Sequence, residues 1–364
     1  MQINRRNALQ QLASCTLGLS VAQLATGNAR LFARSSQDEQ GYETEFPSMG
    51  SKINLRWYSK QPIQNQILSK ASQIADQWVS VLSDYEPASE AMNACANADN
   101  GNWVPVSNEL WSIVQMCDQW HRWSNGAFDA ALGALTRLRR RRKLATASQW
   151  EDARQKSGWK LLQLDDAKQA IRFTTPGVRF DFGAIGKGFV VDRIAEKLVE
   201  MGIDRYVVNA SGNMRIGKAP EDSQGWPITI DIPPTNQNES GVELLRMRIS
   251  QCGIATSGDR WQRFANSPSD AKRDYASHIV DPTTNTGMAG QQSVTVIAEG
   301  AADADAAATA TCVRANRDLA GWLEVLLEKK PNLQAHVLLR EQKDTTNVRY
   351  ISIGQKASTD PGVR

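Results

Sequence analysis

The chain has 364 residues, 41% of them apolar, and a net charge of +3. That length suits one large domain or two ordinary ones and allows a substantial core. A charge so near zero gives no general electrostatic case for nucleic acid. Five cysteines without a CxxC pair, beside three scattered histidines, argue against a Cys/His zinc site. Disulfides among Cys95, Cys117, Cys252 and Cys312 stay open.

Residues 1–35 read as an export signal rather than as fold. Arg5 and Arg6 precede a mildly apolar, small-residue run, compatible with a twin-arginine signal. Leu12-Ala13-Ser14-Cys15 also resembles a lipoprotein cleavage box, with Cys15 as the lipidated residue; an uncleaved amphipathic arm is the alternative. An exported, periplasmic or cell-envelope location is expected. No later segment offers the roughly 20 apolar residues of a bilayer span, so membrane contact is expected at most through the N-terminus. Residues 36–48 are polar and read as linker.

Residues 50–58 alternate as a strand, and 62–83 carry helical periodicity through Ile67, Leu68, Ala71, Ile74, Ala75, Trp78 and Leu82. Residues 84–104 look like loop, and 107–125 like a second amphipathic helix. NGAFDAALGAL, 125–135, reads as a loop entering a helix, and the RRRRK run at 139–143 as a solvated face or loop. VRFDFGAIGKGFVVDRIAEKLVEMG, 178–202, reads as strand, glycine turn and helix. Strands follow at 204–216, 226–233, 243–250, 253–257 and 292–298, then helices at 301–314 and 318–329 and a closing hairpin from HVLLR and VRYISI. Residues 355–364 are polar tail. Strands and helices mix without a βαβ rhythm, which predicts an α+β domain, not a doubly wound sheet.

Several stretches can carry chemistry. The turn around Gly183, Gly186 and Gly188 presents backbone N–H groups ahead of a helix, as phosphate sites do. It matches neither GxxxxGK[ST] nor GxGxxG, and packing glycines at a strand–helix junction explain it equally well. In AADADAAATAT, Asp305 and Thr309 stand four apart on one helix face among alanines. A carboxylate and a hydroxyl presented without bulk suit a hard cation such as magnesium; a stray pair on an alanine-rich helix is the plain alternative. His278 sits among turn residues in SHIVDPTTNTG, and Ser257-Gly258-Asp259 form a turn after a strand.

Together and in order these segments resemble the ApbE family of FAD:protein FMN transferases. The family's DxGGIAKGxxVD appears as DFGAIGKGFVVD, its FDPTVGPL as FDAALGAL and its VNxGGxIxxxG as VNASGNMRIGKAP. ATSGDRW, SHIVDPTTNTG and SVTVIAEGAADADAAAT match three further motifs, and Met49-Gly50 fits a methionine–glycine pair near the first strand. The resemblance implies a single ApbE-like domain over 49–354, with a mixed or antiparallel sheet and packed helices. It implies magnesium-dependent transfer of the FMN half of FAD to a threonine or serine hydroxyl of an acceptor flavoprotein, with release of AMP. Hydrolysis of FAD to FMN and AMP, or flavin binding without turnover, are the alternatives.

By the same resemblance, Met49, Tyr85, Ala127, Phe128, Asp129, Asp181, Lys187 and Val280 are expected to contact FAD. Ala184, through its carbonyl, with Asp305 and Thr309, is expected to hold the metal. The nucleophile belongs to the acceptor, so a base is needed; His278 is the first candidate and Asp259 the second. This chain departs from the family at FDAALGAL, which lacks the prolines and threonine, at Gly186 before the lysine, at Arg260-Trp261 after SGD and at ASEAMN after Tyr85. Ala308 stands where some members carry a second carboxylate, which implies weaker metal binding.

Overall fold

The computed structural model describes residues 30–34, 39–98, 101–140, 145–221, 223–232, 243–258, 277–288, 291–315, 317–340 and 348–354. In chain order the elements begin with β1 (Arg30–Arg34), β2 (Gln40–Ser48), β3 (Ser51–Ser59), α1 (Gln64–Leu82), α2 (Glu90–Ala98), β4 (Val104–Pro105), α3 (Asn108–Trp123), α4 (Gly133–Arg139) and α5 (Ala147–Gln155). Then come β5 (Leu162–Asp165), β6 (Ala170–Phe173), α6 (Gly186–Glu200), β7 (Tyr206–Ala210), β8 (Asn213–Ile216), β9 (Trp226–Ile232), β10 (Glu243–Ile249) and β11 (Cys252–Gly258). The last are β12 (Val280–Asp281), β13 (Thr286–Gly287), β14 (Gln291–Ala298), α7 (Ala301–Arg314), α8 (Leu319–Lys329), β15 (Gln334–Arg340) and β16 (Val348–Ile353).

Nine strands form one sheet in the order β1-β2-β3-β7-β8-β11-β14-β15-β16. Every neighbouring pair in it is antiparallel. The α+β expectation therefore holds, with the sheet antiparallel. Strand side chains alternate faces, and the buried residues divide accordingly. Ile53, Leu55, Trp57, Val208, Ala210, Ala255, Val294 and Val296 join the core made with α1, α6 and α7. Tyr58, Val207, Ile216, Ile254 and Ile297 face the other way, against Trp226, Ile230, Met247 and Ile249 of the β9–β10 hairpin. The strand at 204–216 is in fact two, β7 and β8, reversing at Ser211-Gly212, both with positive φ.

Other expectations need correcting. Gln40–Ser48, read as linker, is a strand paired along its whole length with β3, because Tyr42, Thr44 and Phe46 alternate inward. Helix α2 lies inside the stretch read as loop; Ala91, Ala94, Cys95 and Ala98 bury one face of it. Glu90 accepts hydrogen bonds from the Ser107 backbone N–H (2.7 Å) and hydroxyl (2.6 Å), and Ser107 caps α3 by accepting from Leu110 N (3.1 Å). The elements α5, β5 and β6 went unread. Arg30–Arg34, within the expected leader, pairs with β2 as an edge strand; residues 1–29, Cys15 included, lie outside the described residues. Cys95, Cys117, Cys252 and Cys312 are buried, and no disulfide joins them. Among the described residues no helix is long and apolar enough to cross a membrane.

Candidate active site at the α6–α7 junction

The glycine turn delivers the chain into α6, and α6 lies directly on α7. Gly188 makes that contact possible: a Cβ there would sit 2.3 Å from the Ala301 carbonyl oxygen and 2.8 Å from Ala302 Cα. Both obstacles are backbone, so no side chain could turn aside. Four residues beyond Gly188, Asp192 accepts from the Ala301 and Ala302 N–H groups, each at 2.9 Å. It supplies the cap that Gly300, without a side chain, cannot give α7, and it places a negative group at the positive end of that helix. The last aspartate of DFGAIGKGFVVD thus has a structural task that the sequence did not reveal.

This junction brings three expected residues together. Asp305 is buried, 4% exposed, and its Oδ2 accepts from Gly188 N and from Asn213 Nδ2, both at 3.2 Å. Its Oδ1 accepts no hydrogen bond among the described residues. Burial raises its carboxyl from 3.8 to about 6; the Lys187 ammonium and the Gly188 N–H pull it down, and Asp192 pushes it up. One turn further along α7, the Thr309 hydroxyl meets the Ser257 hydroxyl at 3.1 Å. Ser257 and Gly258 end β11 rather than forming a turn, and Asp259 lies outside the described residues. Asn213 and Ser257, which orient the two α7 side chains, went unread as site residues. Both stand in quoted motifs, VNASGN and ATSGD, but nothing in the spacing points them at α7.

A second group of expected residues surrounds the strand that leads into the turn. Asp181 N donates to Ala130 O (2.9 Å), and Gly133 N donates to Arg179 O (2.9 Å), so the FDAALGAL segment lies along 178–182. Phe128 is fully buried, its N–H bonded to Ser124 Oγ (2.8 Å) and its carbonyl 3.0 Å from His121 Nδ1. The Asp129 carboxylate accepts from Ala131 N and Trp159 N, each at 2.8 Å, which fixes the loop's shape. Burial raises its carboxyl, and those two N–H groups and His121 lower it. Asp181 Oδ1 accepts from Gly183 N at 2.8 Å, bracing the turn that carries half-buried Ala184.

The remaining expected residues approach from three sides. Met49 and Gly50 form the two-residue turn between β2 and β3, with φ of 51° and 69°. A non-glycine residue in that region costs roughly 1–2 kcal/mol, and such strain gathers at functional sites. Met49 packs on the same core as Ala127, Phe128 and Ala184. Tyr85 is 72% exposed, with the Arg140 guanidinium 4.6 Å from its ring centroid. Val280 is buried with Leu132, Leu135 and Trp150. Half-buried His278 stands two residues before β12, beside Ser277, whose carbonyl accepts from Arg139 (3.1 Å) and so anchors the start of the β12–β13 hairpin. Arg317 pairs with Asp281 and donates to Thr283 Oγ1 (2.7 Å) at the other end of that hairpin.

The basic run therefore needs correcting. Arg139 is 3% exposed and Arg140 is paired with Asp84 and Asp181, so neither lies on a solvated face; residues 141–143 lie outside the described residues.

Comparison with known proteins gives the family and the fold. The chain is 28% identical over 277 residues to an FAD:protein FMN transferase of Chlamydia muridarum, covering 74% of this chain and 81% of that one. It is 30% identical over 240 residues to an FAD:protein FMN transferase of Salmonella typhimurium, covering 64% and 65%. Its fold matches the flavin transferase ApbE from Vibrio cholerae with a TM-score of 0.73 at 22% identity, over 86% of this chain and 97% of that one. It matches the apo flavinyl transferase ApbE of Pseudomonas stutzeri with a TM-score of 0.71 at 22% identity, over 91% and 96%. The ApbE family model matches residues 49–336, and the chain belongs to the ApbE family.

Proposed function

We propose that this chain transfers the FMN half of FAD to a threonine or serine hydroxyl of an acceptor flavoprotein, releases AMP, and uses magnesium to do so. The transfer follows from membership of a family whose relatives are FAD:protein FMN transferases. The observation that carries the site is the buried Asp305 carboxylate against Gly188 and Lys187, with Thr309 one turn along the same helix.

The donor set fits a hard cation. Asp305 Oδ2 is held by two donors while Oδ1 accepts none among the described residues. No group of three or more His, Cys, Asp or Glu able to hold a metal occurs among the described residues, and the groups gathered at this junction are oxygen donors. Asp305, Thr309 and the Ala184 carbonyl would hold magnesium through oxygen, as that ion prefers. When bound, the ion supplies Lewis-acid stabilisation of phosphoryl charge.

The protein's own groups do the rest. Lys187, at the start of α6, offsets charge on the diphosphate, and the glycines of the turn let backbone approach it. Met49, Tyr85, the 127–129 segment, Asp181 and Val280 orient the dinucleotide. The acceptor hydroxyl oxygen bonds to the phosphorus of the FMN half. The bond from that phosphorus to the bridging oxygen breaks, and AMP leaves with the oxygen. The hydroxyl proton passes to a base, for which His278 is the first choice and Asp259 the second. Export is proposed on the Arg5-Arg6 leader.

The test is AMP release from FAD with magnesium or EDTA, with and without an acceptor carrying a candidate threonine. Acceptor-dependent release that leaves covalent flavin on the acceptor supports the transferase. Release that ignores the acceptor identifies a pyrophosphatase instead. Yellow protein without AMP release would overturn both.

A further inference from the structure

Arg140, the C-cap residue that follows α4, reaches three separate parts of the site. Its Nη2 donates to Asp84 Oδ2 and lies 3.4 Å from Asp181 Oδ2. Its guanidinium lies over the Tyr85 ring, and Nε donates to the Thr136 carbonyl at 3.4 Å, fixing the plane of the fork. The carboxylates are 15% and 16% exposed, against 72% for Tyr85. Asp181 in turn braces Gly183 at the head of the glycine turn.

Two sequestered carboxylates beside a diphosphate site would repel each other and the ligand. A single delocalised cation between them removes that repulsion. Lysine could supply the charge, but it could not bridge two carboxylates and stack on a ring at once. Tyr85 is an exposed aromatic held from one side by a cation, which leaves its other face for a planar ring. We propose that Arg140 is a positioning residue for the flavin-nucleotide substrate, locking Tyr85 and the Asp181-headed glycine turn into one preformed cradle. This rests on the FAD-dependent reading above.

The test uses the purified full chain. FAD affinity is measured by quenching of flavin fluorescence, with EDTA and with magnesium, beside AMP release at varied FAD. Arg140→Gln should weaken FAD binding about tenfold; KM should rise with it while kcat falls less. Adding Asp84→Asn should restore part of the affinity, because it removes a carboxylate left without its partner. Arg140→Lys should fall between wild type and Arg140→Gln, and it serves in place of Arg140→Gln if that variant fails to fold. Wild-type affinity in a folded Arg140→Gln overturns the inference, and so does a double variant no tighter than the single one. If the wild-type chain binds no FAD, the functional reading falls and this inference falls with it. If the wild type binds and Arg140→Gln binds equally, only this inference falls.

Discussion

Asp305→Asn should move stability and activity in opposite directions. Burial raises this carboxyl from 3.8 to about 6 in the folded chain. At neutral pH the ionised group therefore costs the fold about 3 kcal/mol. The sign follows from proton binding. Between those two values the folded chain holds a proton that the unfolded chain has released, so stability falls as pH rises, and the cost is complete above about 6. Asparagine removes the charge and keeps an oxygen for Gly188 N and Asn213 Nδ2. The Lys187 attraction is already contained in that shift, but the amide must also place an NH2 group where Oδ1 lay, so the net gain should be about 1–2 kcal/mol, or about 1–3 °C in Tm for a chain of this size. The assay is thermal unfolding in EDTA at about pH 8 and about pH 4, with the gain expected only at the higher pH. Magnesium at a hundred times its Kd should add about 2.7 kcal/mol to the wild type and far less to the variant. AMP release should be lost. An Asp305→Asn chain that melts below the wild type in EDTA at high pH would refute the reasoning, because the carboxylate would then be a stabilising partner of Lys187.

Two further predictions concern the same framework. Gly188→Ala must push α6 from α7, since its Cβ would meet backbone at 2.3 Å; the cost should be about 1–3 kcal/mol by urea unfolding, and activity should fall more than stability does because the Gly188–Asp305 contact is strained. His336 on β15 is 8% exposed, its Nδ1 is 2.7 Å from the Tyr350 hydroxyl, and its buried Nε2 has no partner among the described residues. Burial holds this imidazole below 6.5, so its contribution is present above 6.5 and is lost as pH falls towards the folded value. His336→Gln should flatten that part of the stability–pH profile, and an unchanged slope would show that the imidazole does not titrate there.

What the sequence disclosed and what it hid differ in the range of the causes. Helix α7 was legible because its alanines, Asp305 and Thr309 are a local pattern, and α6 because a glycine turn opens a periodic run. Both ends of the site could therefore be named from the chain. Their union could not, because it depends on Gly188 lying against Ala301, a contact between helices more than a hundred residues apart. The basic run failed for the same reason. Four arginines in a row look solvated until their partners are known, and those of Arg140 lie 56 and 41 residues away. Helix α2 was hidden by short polar and alanine residues whose buried face is set by packing rather than by large apolar side chains. Strand β2 was hidden because its pairing with β3 depends on a turn with two positive φ angles, one of them at Met49, where local preference argues against the conformation adopted. The positions where local reading fails (Met49, Arg140, Gly188) border the proposed substrate and metal groups. Local preference and global fold usually agree in a natural sequence, and their conflicts gather where binding demands a geometry that folding alone would not choose. By that argument, Met49→Gly should stabilise the β2–β3 turn and weaken FAD binding through loss of the side chain, and a variant that is stabilised yet binds FAD normally would remove Met49 from the site.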